Sequence, residues 1–202
     1  MPNVVAEKHQ LRIEARRIRD AIDPVTRAAA AKRLVMLADQ VLAEAPTSAA
    51  APVVSAYIAI GSELDPAPLL GALVGRVATI ALPVMAAKNA PLKFRAWQVG
   101  DGLVERMWGI REPAGTATEV EPDILLVPLL LVDRAGRRLG YGGGFYDRTL
   151  AKLQSFKPIF AAGLAFPEQC VDAVPHERYD RAVDAVLTPY GLDHVHQSAG
   201  SD

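Results

Sequence analysis

Residues 137–147 read Arg137-Arg138-Leu139-Gly140-Tyr141-Gly142-Gly143-Gly144-Phe145-Tyr146-Asp147. An apolar run before this stretch, residues 124–132, predicts a buried strand, and residues 145–153 carry apolar side chains at helical spacing. The glycines therefore lie in a loop between a strand and a helix. Glycine lets backbone N–H groups come close to an anion, and a helix N-terminus adds unpaired N–H donors and partial positive charge. This combination predicts a phosphate-binding loop.

The alternative interpretation of the glycines is a tight turn that only needs positive φ angles. Two common nucleotide-binding motifs do not match the stretch. A dinucleotide fingerprint would need glycine where Phe145 or Asp147 stands, and a Walker A loop would need a Gly-Lys-Ser/Thr ending. The sequence thus predicts a phosphate loop of another kind.

Composition narrows the class of protein. The chain has 202 residues, half of them hydrophobic, which suits one α/β domain or at most two small ones. A net charge of -1 argues against a general nucleic-acid binder. The single Cys170 fits a reducing compartment, and no Cys/His cluster suggests zinc.

The same features predict where the protein works. The N-terminus lacks the hydrophobic region of a signal peptide, and the run 124–132 is too short to span a bilayer. We therefore expect a cytoplasmic protein with no nucleic-acid or membrane partner. The expected assembly is a monomer or a weak homo-oligomer.

Residues 138–147 resemble the signature of the 5-formyltetrahydrofolate cyclo-ligase family, also called 5,10-methenyltetrahydrofolate synthetases. The resemblance extends over nearly the whole chain. It implies a single Rossmann-like, three-layer α/β domain over residues 1–190, followed by a polar, frayed tail over residues 191–202. Independently of it, predicted strands at 53–60, 77–82, 124–132, 158–164 and 183–188 alternate with helices, which favours a largely parallel sheet flanked by helices.

The N-terminal residues 4–22 predict a helix with two stripes. One stripe is apolar, with Leu11, Ala15, Ile18 and Ile22, and the other is basic, with Lys8, Arg12, Arg16 and Arg19. The stripes lie roughly 85° apart, so the basic side chains border the buried face. An ordinary solvated helix face is the alternative. The resemblance implies that Lys8 and Arg12 bind nucleotide phosphates and that Arg12 also lies near the folate.

Two further segments resemble folate-binding parts of the family. Glu63 follows a predicted strand end, within Tyr57-x-x-x-Gly61-Ser-Glu-Leu-Asp65, and the resemblance implies that it binds the pterin ring, with Ile58 lining the pocket. A carboxylate suits adjacent N–H donors on that ring. Trp108, in Trp108-Gly-Ile-Arg-Glu-Pro113, would stack on a flat ring; a core or rim tryptophan is the alternative.

Three aspartates match family positions. The resemblance implies that Asp147 and Asp180 hold Mg²⁺, which prefers oxygen ligands and takes one or two carboxylates beside phosphate oxygens. Asp147 as a helix cap is the alternative. Asp184 also matches a family position, with a buried structural role as its alternative. Gln169, in Phe166-Pro-Glu-Gln169, matches a further family segment.

The resemblance implies an ATP- and Mg²⁺-dependent cyclisation of 5-formyltetrahydrofolate to 5,10-methenyltetrahydrofolate through a phosphorylated formyl group. It assigns ATP binding to Lys8, Arg12, Arg138, Leu139, Gly140, Tyr141, Gly142, Gly143, Gly144, Phe145 and Tyr146. It assigns catalysis to Arg138, Gly142, Gly143, Gly144 and Tyr146. It assigns folate binding to Arg12, Ile58, Glu63, Trp108, Tyr141, Gly142, Gly143, Gly144 and Phe145.

Two departures and two alternatives stand beside this interpretation. Some family members carry Arg and Lys in the glycine loop, where this chain has Tyr141 and Gly143, so charge near the γ-phosphate must come from the N-terminal helix and Mg²⁺. The run before Asp133 is also more aliphatic than usual. The alternatives are an ATP-dependent enzyme of the same fold acting on another amide or carboxylate, and a non-catalytic folate- or nucleotide-binding regulator.

Overall fold

A computed structural model describes residues 4–46, 51–106 and 110–196. The helices are α1 (Val4–Asp20), α2 (Pro24–Arg33), α3 (Ala38–Ala43), α4 (Ala67–Leu73) and α5 (Phe145–Gln154). The strands are β1 (Val53–Ser55), β2 (Thr79–Val84), β3 (Lys93–Trp97), β4 (Leu103–Glu105), β5 (Arg111–Pro113), β6 (Glu119–Val120), β7 (Ile124–Pro128), β8 (Leu131–Asp133), β9 (Arg138–Leu139), β10 (Phe160–Leu164), β11 (Cys170–Val171), β12 (Ala185–Thr188) and β13 (Gly191–His194).

The central sheet has eight strands in the order β13-β12-β10-β7-β1-β2-β3-β6. The five inner strands, from β12 to β2, are parallel, and β13, β3 and β6 are antiparallel additions at the two edges. β7 lies between β1 and β10, and its Ile124 is in register with Val54 on one side and Phe160 on the other. The predicted largely parallel α/β fold is confirmed.

Helices cover both faces of this sheet because successive strand residues point to opposite sides. Leu126 packs in a cluster with Leu34 and Leu69, from the segment after α2 and from α4. Its neighbour Leu125 packs in a second cluster with Leu150 of α5. β7 is buried on both faces, which is why it reads as a continuous apolar run.

The predicted strand 124–132 is wrong as one element. β7 ends at Pro128, and β8 begins at Leu131 in a separate three-stranded sheet with β9 and β11. The side-chain amide of Gln169 donates to the carbonyl oxygens of Leu129 and Leu130, at 3.0 Å each. This amide satisfies buried backbone acceptors where the chain changes sheets.

Two other predicted boundaries are also corrected. The first predicted strand, 53–60, is regular only over Val53–Ser55. The tail predicted from residue 191 is not frayed over Gly191–His194, because these residues form β13 and pair with β12. A two-residue hairpin loop, Pro189-Tyr190, joins the two strands, since Thr188 and Gly191 are partners.

The helix predictions agree closely with the structure. α1 ends at Asp20, and α2 begins after Asp23, whose carboxylate accepts the N–H groups of Val25 and Thr26. A short 3₁₀ segment, Leu34–Leu37, separates α2 from α3. Within the described ranges, no helix is long and apolar enough to cross a membrane.

Candidate functional site

A cavity of about 1000 Å³ lies at the carboxyl edge of the parallel strands. Pro83 and Pro128, at the ends of β2 and β7, line its floor, and the loop after β1 lines one wall. The glycine loop and the start of α5 form a second wall, and the basic stripe of α1 forms a third. Open α/β sheets bind ligands at this edge.

The glycine loop, Gly140–Gly144, joins β9 to the N-terminus of α5, as predicted. Gly142 has a φ of +97° and Gly144, the N-cap of α5, has a φ of +62°. A Cβ on Gly144 would lie 2.8 Å from Nη1 of Arg148. The loop therefore agrees with both interpretations of the glycines. It contains left-handed residues, as a tight turn requires, and it presents a helix N-terminus to the cavity, as a phosphate-binding loop requires.

Lys8 of α1 reaches across the cavity to the loop after Val174. Its Nζ lies 2.9 Å from Oε2 of Glu177 and 2.5 Å from Oδ2 of Asp180. Only 5% of Lys8 is exposed. Burial acts to lower the pKa of Lys8, but the hydrogen bonds to Asp180 and Glu177 outweigh it, so the pKa is raised above its ordinary value. Lys8 is therefore a charged, anchored ammonium group.

Arg138 is the second buried cation. Its Nη1 donates to Oδ1 of Asp147 at 2.8 Å and to the carbonyl oxygen of Arg181 at 2.8 Å. Burial lowers the pKa of Arg138, although the charges of Asp147 and Asp180 oppose the shift. An arginine still keeps its charge at neutral pH, because its ordinary pKa is far above 7. Asp147 Oδ1 also accepts the backbone N–H of Arg181 at 3.0 Å.

Arg12 is attached directly to the glycine loop. Its Nε donates to the carbonyl oxygen of Gly140 at 2.9 Å. A Cβ on Gly142 would lie 3.5 Å from the Arg12 guanidinium carbon. This is an ordinary van der Waals distance, so α1 places a guanidinium directly against the loop, and it is the φ of +97° that favours glycine at position 142.

A second part of the cavity, which also reaches the glycine loop through Tyr141, contains a hydrogen-bonded chain around Glu63. Glu63 Oε2 accepts the N–H of Ile60 at 2.8 Å, and its Oε1 accepts from the hydroxyl of Tyr141. Arg19 Nη1 donates to that hydroxyl at 2.6 Å and lies 3.9 Å from Glu63 Oε1. Arg19 Nε donates to Ser62 Oγ at 2.9 Å. The glutamate is therefore held in one orientation by its own loop, with a buried guanidinium beside it.

Three tyrosines make this end of the cavity aromatic. Burial raises the pKa of Tyr57, Tyr141 and Tyr146, and the negative charge of Glu63 raises each of them further. All three phenols are therefore protonated at neutral pH and can donate hydrogen bonds. Tyr57 donates to the carbonyl oxygen of Leu64 at 2.6 Å, which ties the Glu63 loop to the end of β1.

The structure brings together every predicted site residue that it describes. The residues lining the one cavity include Lys8, Arg12, Ile58, Glu63, Arg138, Leu139, Gly140, Tyr141, Gly142, Gly143, Gly144, Phe145, Tyr146, Asp147 and Asp180. Trp108 lies outside the described residues. The roles assigned to these residues stay predictions.

Several cavity residues were not predicted. Arg19 was seen only as one member of the basic stripe, and Tyr57 only as part of a motif. Glu177 was not singled out, because a loop carboxylate gives no sequence signal of a partner 169 positions away. Asp184, by contrast, lies outside the cavity lining and accepts the N–H of Ala161 at 2.8 Å, which is a structural role.

The carboxylates fit a metal that is bound together with phosphate. Among the described residues, no group of three or more His, Cys, Asp or Glu side chains forms a protein-only metal site. Asp147 and Asp180 line the same cavity and both act electrostatically on Arg138. Two carboxylates near a phosphate loop match the donor set that Mg²⁺ takes with a nucleotide.

Comparisons with known proteins identify relatives of this chain. The sequence model described as the 5-formyltetrahydrofolate cyclo-ligase family matches residues 4–189. A 5-formyltetrahydrofolate cyclo-ligase of Mycolicibacterium smegmatis is 38% identical over 144 residues, covering 67% of this chain and 73% of the relative. One of Escherichia coli K12 is 36% identical over 143 residues, covering 67% of this chain and 77% of the relative.

Solved structures share the fold. The NMR structure of Aquifex aeolicus 5,10-methenyltetrahydrofolate synthetase has a TM-score of 0.72 at 23% identity, covering 96% of this chain and 95% of that chain. A 5,10-methenyltetrahydrofolate synthetase from Mycoplasma pneumoniae has a TM-score of 0.68 at 18% identity, covering 90% of this chain and 98% of that chain.

Proposed function

The chain belongs to the 5-formyltetrahydrofolate cyclo-ligase family, and we propose on that premise that it converts 5-formyltetrahydrofolate to 5,10-methenyltetrahydrofolate with ATP and Mg²⁺. One observation carries the proposal for this chain. A single cavity combines a cationic, glycine-lined region with a glutamate that is fixed among aromatic side chains, and Tyr141 of the glycine loop joins the two. The first region suits a triphosphate and the second suits a pterin. A volume of about 1000 Å³ suits two reactants side by side.

The cationic end would bind the nucleotide. Lys8, Arg12 and Arg138 would donate to phosphate oxygens, and the glycine loop and the first turn of α5 would add backbone N–H donors. Lys8 is bonded to Asp180, and Arg138 is bonded to Asp147. Nucleotide binding would therefore exchange these protein ion pairs for phosphate contacts.

That exchange would free the carboxylates of Asp147 and Asp180, and these two carboxylates would hold Mg²⁺. The metal would supply charge neutralisation on the phosphate oxygens. Arg138, on the short strand β9, and Asp147, in the first turn of α5, approach the phosphate position from the two elements that the glycine loop connects.

The folate end would orient the other reactant. Glu63 would accept N–H donors of the pterin ring, and Ile58, Phe145 and Tyr141 would contact its flat surface. The formyl oxygen on N5 would then face the γ-phosphate across the glycine loop. Excluding water here prevents hydrolysis of the activated formyl group.

The chemistry then needs no side-chain nucleophile. The formyl oxygen attacks the γ-phosphorus and ADP leaves; N10 attacks the activated formyl carbon and loses its proton, and phosphate leaves as the ring closes. Positioning and charge stabilisation supply most of the catalysis in phosphoryl transfer. The cavity lining offers these two contributions.

The test is near-UV absorbance of the purified protein with 5-formyltetrahydrofolate and Mg²⁺, before and after ATP is added. The methenyl product has a conjugated chromophore that the substrate lacks, so we expect a band that grows only with ATP. A flat trace in a protein that binds folate and ATP would contradict the proposal and favour a regulator. A flat trace with ATP hydrolysis in the presence of another amide or carboxylate would favour a different substrate.

A further inference from the structure

Arg19 is the buried cation that the proposed reaction does not use. It is 6% exposed, lies in the last turn of α1 and lines the cavity beside Tyr141 and Glu63. Its Nε is held by Ser62 Oγ, which in turn donates to Asp20. Its Nη1 points past that support into the cavity, toward the Tyr141 hydroxyl and Glu63. Burying a charge costs free energy unless the charge is paired. We therefore expect the Nη1 donor that Arg19 directs into the cavity to bind a ligand atom there.

The Tyr141 hydroxyl fills the position between a donor and an acceptor. It accepts from Arg19 Nη1 and donates to Glu63 Oε1. Arg19 Nη1 and Glu63 Oε1 are only 3.9 Å apart, so they form a donor and an acceptor side by side. A ligand edge that matches this pair must offer an acceptor next to a donor.

The lactam edge of a pterin has that pattern, with the N3–H donor adjacent to the C4 carbonyl acceptor. We propose that Arg19 and Glu63 together bind this lactam edge, Glu63 at N3–H and Arg19 at the C4 oxygen, and that the Tyr141 hydroxyl, which now bonds both, gives its place to the ligand. The inference rests on the proposed folate substrate and adds a specificity-determining residue to it.

We call Arg19 and Glu63 the clamp. The surrounding structure fixes both clamp residues and leaves Tyr141 able to move. Glu63 is held through Oε2 by the Ile60 N–H, and Arg19 through Nε by Ser62. Tyr141 is 39% exposed and stands between Gly140 and Gly142, in a loop whose φ at Gly142 is +97°. The glycines on both sides let the phenol withdraw without strain in a neighbouring side chain.

The clamp predicts which ring the site accepts. In a 2-amino-4-oxo pterin the C4 group accepts from Arg19, whereas in a 2,4-diamino ring the C4 group is a donor and N3 carries no proton. A donor at C4 would then face the donor Arg19, and an unprotonated N3 would face the acceptor Glu63. Leaving a buried charged donor unpaired costs binding free energy. The site therefore selects the 4-oxo ring.

Calorimetric titration without ATP tests the clamp with two ligands, 5-formyltetrahydrofolate and its 4-amino counterpart. We expect the unaltered protein to bind the 4-oxo ligand on the order of tenfold or more tightly than the 4-amino one. Arg19→Met should weaken the 4-oxo ligand by about tenfold or more and leave the 4-amino ligand nearly unchanged. Arg17→Met is the matched control, because Arg17 lies on the solvent side of α1 and pairs with Glu14.

Tyr141→Phe tests the place-holding role separately. It removes only the hydroxyl that competes with the ligand, so the 4-oxo ligand should bind at least as tightly as it does to the unaltered protein. Weakening by tenfold or more would overturn the place-holding role and make Tyr141 a direct ligand. Equal weakening of both ligands by Arg19→Met would overturn the clamp.

Two further measurements keep these outcomes separate. Thermal unfolding shows whether Arg19→Met folds. If it does not, Arg19→Lys replaces it, because lysine lacks the planar guanidinium that reaches Ser62 from Nε and the ligand from Nη1, and it should lose the same preference. The ATP-dependent absorbance of the unaltered protein tests the proposed reaction independently. Product formation without discrimination between the two rings would overturn the clamp alone.

Discussion

Arg138 Nη1 lies 2.8 Å from Oδ1 of Asp147, so a residue proposed to bind phosphate and one proposed to bind Mg²⁺ are bonded to each other. Lys8 and Asp180 repeat the arrangement from α1, at 2.5 Å. Each cation thus has a carboxylate that neutralises it before any ligand arrives. Removing one member of a pair should affect both the charge balance of the empty site and the binding of its ligands.

Asp147→Asn should lower the rate of product formation by at least about 100-fold and raise the Mg²⁺ concentration needed for half-maximal rate. The amide binds the metal poorly and no longer balances the buried Arg138. Absorbance kinetics over a range of Mg²⁺ concentrations measure both effects. Asp172→Asn, at an exposed position outside the cavity lining, is the matched control. An unchanged Mg²⁺ dependence in Asp147→Asn would remove this residue from the metal site.

Lys8→Met should lower the free energy of unfolding by about 1 kcal/mol at neutral pH, because its two carboxylate partners are partly exposed. The raised pKa of Lys8 gives the effect a pH window. The stabilisation is fully present below the unfolded-state pKa of about 10.4 and is lost as the pH rises through the higher folded-state pKa.

Denaturant titrations of the unaltered protein and Lys8→Met, from neutral pH to about pH 11, check this window. The difference between the two proteins should shrink only at the alkaline end. Lys88→Met, at an exposed lysine, should show no such difference at any pH. A gap that stays constant through the alkaline range would show that the ion pairs do not cause it.

Gly144→Ala should cost about 1 kcal/mol of stability and most of the activity. Gly144 has a φ of +62°, and its Cβ would lie 2.8 Å from Arg148 Nη1, whose side chain also donates from Nη2 to the Gly143 carbonyl oxygen at 2.7 Å. Gly75→Ala is a matched control, since Gly75 has a φ of +76° in open space away from the cavity. Thermal melts should show similar losses for both variants, and kinetic assays a loss only for Gly144→Ala.

Asp184→Asn should keep its activity and its Mg²⁺ dependence, and should change the free energy of unfolding by less than about 1 kcal/mol at neutral pH. The Asn oxygen still accepts the Ala161 N–H, and burial disfavours the charge that is removed.

Burial raises the pKa of Asp184, which gives this substitution an acid-side signature. The carboxyl group favours the folded protein below the unfolded-state pKa of about 3.9, and this contribution is lost as the pH rises through the folded-state pKa. Unfolding measured from acid to neutral pH should therefore show Asp184→Asn gaining on the unaltered protein over that interval. A lost Mg²⁺ dependence would instead place Asp184 in the metal site.

Local patterns in the sequence were enough to predict α1, α5 and the parallel strands, because each has the periodicity of its element and a burial that matches it. The split at Pro128 was missed for a physical reason. Leu129 and Leu130 are as buried as the strand residues around them, so hydrophobicity does not change where the chain leaves one sheet for another. β13 was missed because its residues are polar and an edge strand needs pairing partners more than apolar side chains.

The candidate site, like the fold, has one part that the sequence predicts and another that it does not. The glycine loop and its flanking Arg138 and Asp147 are close in sequence, so a motif can reveal them. Arg19 and Glu177 become part of the site only through tertiary contacts, with Tyr141 and Lys8, that no local pattern encodes. Several side chains on α1 are charged, and which of them are buried depends on which other parts of the fold pack over the helix.

The placement of α1 also has a consequence during synthesis of the chain. Its apolar face, at Leu11 and Ala15, packs against Leu130, Leu131 and Leu139. Its Lys8 pairs with Asp180, which lies 172 residues later in the sequence. At about 5–20 residues per second, the ribosome delivers Asp180 on the order of ten seconds or more after Lys8. The helix lacks its packing surface until residues 130–139 have been made, and it lacks the counter-charge of Asp180 for the whole interval. The cavity that α1 lines can therefore be completed only after residue 180 has been added to the chain.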